Sequence, residues 1–293
     1  MSGSSSQQPT IAVALKWVDL RPEVDALTGA VGEDSHSFGC SEADQAALEW
    51  ALRLAERWPG DGVDGAPSDP PEVVVVTVGP PEADALVREA LAAGATRGVR
   101  VDAAPATPSP EVAAALAAVV DGADLVCCGD YSVDRGSGSV PAFLAAEMGA
   151  VQALGLVDLE RESTGTLRVT RRLDYGRREV LAVRAPAVLS FEGASAQVRR
   201  AGLAAVLAAR TATIEVRPRG GGRAARTRVT RRAPYRPRSR TLPPPAADLD
   251  VRGRVLSLTG ALVERTRPRT VHADAAEAAD LVIEQLRAWG YLE

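Results

Sequence analysis

Continuous apolar runs of strand length alternate with amphipathic helical stretches through the first half of the chain. The runs occupy residues 11–18, 72–79, 98–103 and 124–129, and the helical stretches occupy residues 41–58, 81–94 and 108–122. Uninterrupted apolar strands are typical of parallel sheets, which are buried on both faces. The alternation therefore predicts an α/β fold, a doubly wound and mostly parallel sheet of the Rossmann-like kind. In such a sheet the loops after Val18, Val78 and Gly129 meet at the carboxyl ends of the strands, where ligands bind.

Residues 19–40 interrupt this alternation. They carry proline, glycine, aspartate and serine without periodicity, and they predict a long loop after the first strand. The helix that follows has Ser41 as a candidate N-cap, with the acidic Glu42 directly after it.

After residue 150 the pattern changes to short runs with partial alternation. Three such runs, at residues 153–161, 166–174 and 178–186, are separated by turn signals and predict antiparallel strands added to the sheet. A further apolar strand and a helical stretch over residues 194–210 follow.

The last part of the chain has a different composition. Beyond residue 216 proline, glycine and arginine dominate, and such a segment cannot form a core of its own. Residues 271–293 again predict an amphipathic helix, which needs a surface to pack against. The predicted organisation is a disordered N-terminus over residues 1–9, one nucleotide-binding α/β domain over 10–210, and a C-terminal arm and helix over 211–293.

The loop that follows the apolar run ending at Gly129 is rich in glycine and serine and leads into a helix near Ser139. The start of a helix has unpaired backbone N–H groups and the positive end of the helix dipole, and both favour an anion. Gly136 and Gly138 would let the backbone come close to such an anion, and Ser137 and Ser139 could cap the helix and donate to phosphate. The pattern predicts a nucleotide-phosphate loop; an ordinary capped turn is the alternative.

Composition excludes several classes of protein. No apolar run approaches the roughly 20 residues that span a bilayer, and the polar N-terminus has no signal-peptide pattern, so we expect a cytoplasmic protein. Cys40, Cys127 and Cys128 have no metal-ligand spacing, so we expect buried thiols and no protein-bound catalytic metal.

Positive charge is almost entirely arginine. Ten arginines fall between Arg217 and Arg240 with no acidic residue among them, which raises the possibility of an arm that binds nucleic acid. The segment is interrupted by glycine and proline, has Tyr235 as its one aromatic residue, and belongs to a chain of net charge −4. We therefore expect no nucleic-acid partner, and interpret the segment as either disordered or laid over a partner.

Over residues 10–293 the chain resembles the β subunit of electron transfer flavoproteins (ETF). IAVALKWV is similar to that family's VAVK strand, VVVTVGP to its VSxGP strand, LVCCGDYSVDRGSGSV to its LLGKQAIDDDxNQTG loop, RRLDYG to its REIDGG turn, PAVLSF to its PAVVT strand and EAADLVIEQLRAWG to its closing helix. The resemblance rests on the order and spacing of these segments.

The resemblance implies a heterodimer. In the family the α subunit carries most contacts to one FAD. The β subunit binds AMP in its sheet crevice and contributes a lid over the flavin. The sequence does not distinguish AMP from a second FAD as the ligand of the β subunit. Carried over by position, the cofactor contacts fall on Ala14, Ser41, Asp44, Val78, Gly129, Asp134, Ser137, Gly138, Ser139 and Val140. The implied phosphate contacts, Gly138 to Val140, lie in the loop that the helix-start argument selects.

The resemblance also implies partners. Residues 195–210 are similar to the loop by which the family recognises dehydrogenases, and Leu203 takes the place of the leucine that inserts into them. Ala196, Gln197 and Val198 stand where the family has Asn-Glu-Pro. These departures and the alanine- and arginine-rich background resemble the actinobacterial branch associated with the redox cofactor mycofactocin. The implied donor is an acyl-CoA-type or mycofactocin-linked dehydrogenase, and the implied acceptor is of the quinone oxidoreductase type.

No pattern of general acid, general base or nucleophile is evident, and an electron-carrier subunit needs none, because the cofactor carries the redox chemistry. We therefore expect no catalysis by the chain itself. The alternative is a stand-alone adenine-nucleotide-binding module of the universal-stress type, without redox activity. That class has a related sheet and loop, but its chains are much shorter and lack the arm and the closing helix.

Overall fold

The strands predicted from the apolar runs form the centre of one nine-stranded sheet in the computed structural model. The structure describes residues 8–25, 27–32, 34–58, 70–162, 165–220, 244–259 and 270–292. They divide into two compact units, Met1–Tyr235 and Arg236–Glu293.

The described residues of the first unit form thirteen strands and five α-helices. The strands are β1 (Thr10–Leu15), β2 (Trp17–Asp19), β3 (Glu23–Val24), β4 (Val31–Gly32), β5 (Phe38–Cys40), β6 (Glu72–Gly79), β7 (Arg97–Asp102), β8 (Leu125–Gly129), β9 (Val151–Arg161), β10 (Leu167–Arg172), β11 (Arg178–Val183), β12 (Ala187–Phe191) and β13 (Glu215–Pro218). The helices are α1 (Glu42–Glu56), α2 (Asp84–Ala93), α3 (Ser109–Ala117), α4 (Ser139–Met148) and α5 (Leu203–Thr211).

The strand order across the large sheet is β11, β10, β9, β12, β8, β1, β6, β7, β13. Every pairing from β9 to β13 along this order is parallel, whereas β10 pairs antiparallel with both β9 and β11. The predicted fold class, a mostly parallel α/β sheet with added antiparallel strands, is confirmed. β13 extends the sheet beyond residue 210, the predicted end of the domain, by pairing with β7.

The sheet is covered on both faces, which explains why its central strands are apolar throughout. On one face α1 and α2 pack over side chains such as Ile11 and Val13 of β1, and Trp50 stacks on Phe191 with ring centroids 5.9 Å apart. On the other face α3 and α4 pack over the alternate residues, including Ala12. Consecutive residues of a strand point to opposite faces, so one apolar run serves two cores.

The predicted long loop over residues 19–40 is wrong in part, because short strands lie within it. β2 pairs antiparallel with β5, and β3 with β4. Trp17 and Phe38, which belong to the first of these pairs, have ring centroids 5.9 Å apart. Strands this short show no periodic pattern in the sequence. Side-chain contacts between paired strands, such as that of Trp17 with Phe38, hold them together instead.

The second unit contains helices α6 (Val251–Thr259) and α7 (Ala275–Ala288). The helix predicted over residues 271–293 is present as α7, whose N-cap Asp274 accepts from the backbone N–H groups of Ala276 and Glu277. No described residue of either helix is buried. Most of the arginine-rich arm, residues 221–243, lies outside the described residues, as do residues 1–7 of the predicted disordered N-terminus.

Candidate nucleotide site

A cavity opens at the carboxyl ends of β1, β6 and β8, and contains about 950 Å³ of empty space when counted out to its open mouth. Nine of the ten residues predicted to contact a cofactor line it: Ala14, Ser41, Asp44, Val78, Gly129, Ser137, Gly138, Ser139 and Val140. Asp134, the tenth, is not among the lining residues, although its neighbours Val133 and Arg135 are.

The loop between β8 and α4 is held together by its own backbone. The N–H of Ser132 donates to the carbonyl of Ser137 and the N–H of Gly136 donates to the carbonyl of Ser132, both at 2.7 Å. Gly136 has a φ of +62°, a left-handed conformation that glycine adopts without steric cost. The result is a short closed turn that ends where α4 begins.

Gly138 is required by a backbone crossing inside this loop. A Cβ atom at this position would lie 1.8 Å from the carbonyl oxygen of Asp130. The sequence predicts that Gly138 lets an anion approach the backbone, whereas the structure shows that the loop's own chain already excludes a side chain. A substitution at Gly138 therefore has to move the start of α4.

The start of α4 has no side-chain cap. Gly138 is the N-cap residue, so the expectation that Ser137 or Ser139 caps this helix is wrong. The physical reason is that the cap position is occupied by a residue with no side chain, and the two hydroxyls flank it. Backbone N–H groups in the first turn of a helix have no acceptor within the helix, so those of Ser139 and Val140 are free for another acceptor. Both residues line the cavity.

Asp44 ties helix α1 to the ends of two strands. Its carboxylate accepts from the backbone N–H of Lys16 at 3.1 Å and from that of Gly129 at 3.2 Å. Burial raises the pKa of Asp44 to about 6, although hydrogen bonds from Lys16, Ser41 and Gly129 act in the opposite direction. Gly129 leaves room for this contact, because a Cβ atom there would lie 2.5 Å from the Asp44 carboxylate. As predicted, Ser41 caps α1, accepting from the N–H of Asp44 at 3.2 Å.

Lys16 connects the end of β1 to the glycine- and serine-rich loop. Its Nζ lies 2.5 Å from Oδ1 of Asp134 and 2.8 Å from Oγ of Ser132. Burial raises the pKa of Asp134, but the hydrogen bonds from Lys16 and Ser132 outweigh it, and the net shift is downward. The carboxylate of Asp134 thus faces Lys16, which explains why Asp134 is not among the residues that line the cavity. The pattern of residues did not select Lys16 as a site residue, although it is the one lysine of the chain and follows the first strand.

Arg135 joins the same loop to the segment after β7. Its guanidinium donates to the backbone carbonyls of Thr107 at 3.1 Å and Pro105 at 3.4 Å. Arg135, Thr107 and Pro105 all line the cavity. The sequence held no signal for this contact, because backbone carbonyls accept hydrogen bonds whatever their side chains.

The remaining predicted features lie elsewhere. Leu203, the first residue of α5, is 75% exposed and is not among the residues that line this cavity. Cys40, Cys127 and Cys128 are buried free thiols, as predicted, and burial raises the pKa of Cys127 to about 12. Within the described part of the chain, no group of three or more His, Cys, Asp and Glu residues is placed to hold a metal ion.

Comparison with known proteins identifies the family. The family model "Electron transfer flavoprotein domain" matches residues 28–220. The electron transfer flavoprotein subunit beta of Methylophilus methylotrophus is 32% identical over 190 residues, which are 63% of this chain and 69% of the relative. The chain belongs to the ETF β-subunit family. The ETF β subunit of Bradyrhizobium diazoefficiens is 34% identical over 151 residues (51% of this chain, 56% of the relative), and that of Mycobacterium tuberculosis is 31% identical over 140 residues (46% and 50%).

These matches confirm the resemblance to the ETF β subunit, and the mycofactocin-associated branch stays a prediction. The aligned segments span only about half the length of the Bradyrhizobium and Mycobacterium subunits, at 56% and 50%. The ETF match begins at residue 28 and ends at residue 220, so it contains α1, the loop after β8, and α5. Among the described residues, no helix is long and apolar enough to cross a membrane.

Proposed function

We propose that this chain is the β subunit of a heterodimeric ETF and that its cavity holds AMP. The observation that carries the proposal is the gathering of nine positions, selected by family resemblance, around one cavity at the carboxyl ends of the strands. In a doubly wound sheet this is the edge at which nucleotides bind.

The residues of the cavity fit a mononucleotide with a terminal phosphate. The uncapped start of α4 offers the N–H groups of Ser139 and Val140 to an anion, with the dipole of the helix in support. Lys16 lies beside the loop, where it neutralises the carboxylate of Asp134 that would otherwise repel a phosphate. Apolar side chains such as Val78 and Val112 line the same cavity and suit a flat base.

The chain's own part in electron transfer is structural. When bound by the heterodimer, FAD supplies the group that accepts and releases electrons. The β chain holds its nucleotide, packs against the α subunit and presents a surface to the electron donor. We propose Leu203 as the centre of that surface, an acyl-CoA-type or mycofactocin-linked dehydrogenase as the donor, and a quinone oxidoreductase-type acceptor. On this account the chain alone catalyses no reaction.

The proposal is tested by co-expression with the α subunit encoded in the same genome, purification through a tag on one chain, and a visible spectrum of the product. We expect the two chains to co-purify with a flavin spectrum. A soluble, colourless monomer that retains AMP or ATP would instead support the stand-alone nucleotide-binding module. Two FAD per heterodimer would refute AMP as the ligand of this cavity.

A further inference from the structure

Helix α5 lies on the surface with very little of itself buried. Of its nine residues, Leu203–Thr211, only Ala209 is buried. Leu203, Val206 and Leu207 expose their apolar side chains. Isolated helices of fewer than about 12–15 residues are marginal in water, even when rich in alanine. Contacts beyond its own backbone and one buried alanine must therefore hold α5 in place.

The C-terminal end of α5 is held by an arginine of α2. The Nη1 of Arg88 donates to the carbonyl of Ala209 at 3.0 Å and to that of Ala212 at 2.9 Å. The last carbonyls of a helix have no partner within it, and a cationic donor both satisfies them and stabilises the negative end of the dipole. Arg88 thus fixes one end of α5 to the body of the domain.

The chain entering α5 is held by a second arginine. Arg199 donates from its backbone N–H (3.1 Å) and from Nε (3.0 Å) to Oε2 of Glu49, and from Nη2 to Oε1 of the same residue at 3.2 Å. Its Nη2 also lies 3.2 Å from Oε2 of Glu56, and its Nη1 contacts Oε1 of Glu56. Both acids belong to α1, so one guanidinium ties residues 196–202, which have no regular structure, to the helix beneath them.

Glu49, which accepts most of these hydrogen bonds, is buried in the domain. Glu49 is only 4% exposed, and Arg53, one turn along α1, donates to its Oε1 at 2.7 Å. Burial raises the pKa of Glu49, but the hydrogen bonds from Arg199 and Arg53 prevail and lower it overall. Planar guanidinium groups bind carboxylates in two places at once, which fixes direction as well as distance. Glu49 therefore gives Arg199 a fixed anchor.

We propose that Arg199 is a positioning residue that holds α5 in the orientation in which its exposed apolar face meets an electron donor. We call the contact of Arg199 with Glu49 and Glu56 the clamp. The docking part of this proposal rests on the proposed function, whereas the clamp itself does not. Arg199 is not among the residues that line the nucleotide cavity, and its hydrogen bonds go to Glu49 and Glu56 of α1. Its substitution should therefore loosen α5 and leave nucleotide binding intact.

The clamp is tested by hydrogen exchange of backbone amides in the heterodimer, comparing Arg199→Gln with Arg200→Gln. Arg200 is the adjacent exposed arginine, and in the described part of the chain it makes no hydrogen bond or ion pair, so it is a matched control. We expect exchange in α5 to become on the order of tenfold faster in Arg199→Gln alone, with β8 and α4 unchanged. Arg199→Lys should give an intermediate rate, because an ammonium group cannot reproduce the paired contacts. Equal rates in the two glutamine variants, or faster exchange across the whole sheet, would overturn the clamp.

The docking role is tested by steady-state reduction of the heterodimer with an acyl-CoA-type dehydrogenase and its acyl-CoA substrate. We expect Arg199→Gln and Leu203→Ala both to raise the KM for the heterodimer, with kcat unchanged. A raised KM in Leu203→Ala beside an unchanged KM in Arg199→Gln would overturn the docking role of Arg199. An unchanged KM in both variants would refute the proposed docking surface itself, and the exchange experiment would still decide on the clamp.

Discussion

The sharpest prediction concerns Gly138, where the structure leaves no space for a side chain. In Gly138→Ala the new Cβ atom would begin 1.8 Å from the carbonyl oxygen of Asp130, so the two chain segments must separate by more than 1 Å. Overpacking of this kind costs about 1–3 kcal/mol. The movement also displaces the first N–H groups of α4. Two lost hydrogen bonds to a charged phosphate, at about 1.5 kcal/mol each, correspond to roughly 100-fold weaker binding of AMP.

The matched control for this variant is Gly202→Ala. Gly202 is also the N-cap of a helix, has a negative φ of −70°, and has no atom within 4 Å of an added Cβ. Both heterodimers are purified in parallel, their nucleotide is released by acid and quantified, and AMP affinity is measured by calorimetry on the stripped protein. We expect Gly202→Ala to retain its nucleotide and Gly138→Ala to lose it. Equal AMP affinity in the two variants would refute the assignment of this loop to phosphate.

Three further predictions follow from the cavity and the core. Because the folded-state pKa of Asp44 is raised from 3.8 to about 6, its contribution to stability is full below about pH 4 and is lost as pH rises through 6. Urea unfolding at pH 4.5 and 7 should thus show the free energy of unfolding falling more steeply in the wild type than in Asp44→Asn, by about 2 kcal/mol, and parallel profiles would contradict this. Lys16→Met removes the cation beside the loop, and calorimetry should give AMP binding weaker by roughly tenfold; unchanged affinity would exclude the lysine from the site. Cys127 should react with a thiol reagent only after unfolding, as followed by mass spectrometry, because burial keeps its thiol protonated and inaccessible.

The central strands were predictable from sequence because a strand that is buried on both faces has apolar residues at consecutive positions. β6 and β8 lie within predicted runs and β1 begins one residue before its run, and the loop after β8 was placed correctly because parallel strands bring their carboxyl ends together. The small strand pairs between residues 17 and 40 were not predictable, because neither strand of such a pair has a buried face with a period of its own.

The long-range polar contacts at the site could not be predicted from the sequence either. Lys16 reaches a residue 118 positions away, and Arg135 binds carbonyls about 30 positions away. The spacing of residues along the chain does not indicate such pairs, since they depend on which loops the sheet order brings together. The missing side-chain cap of α4 has a different cause: Gly138 occupies the cap position because a backbone crossing demands it, and this crossing is visible only in three dimensions.

The most direct test of the central claim is the nucleotide content of the purified heterodimer. Acid extraction followed by chromatography of the supernatant would separate FAD from AMP and count each against protein. The account predicts about one FAD and one AMP per heterodimer, with the AMP lost and the FAD retained in Gly138→Ala. A heterodimer that contains FAD but no AMP, or one whose AMP survives the substitution, would contradict the claim that this cavity is the AMP site.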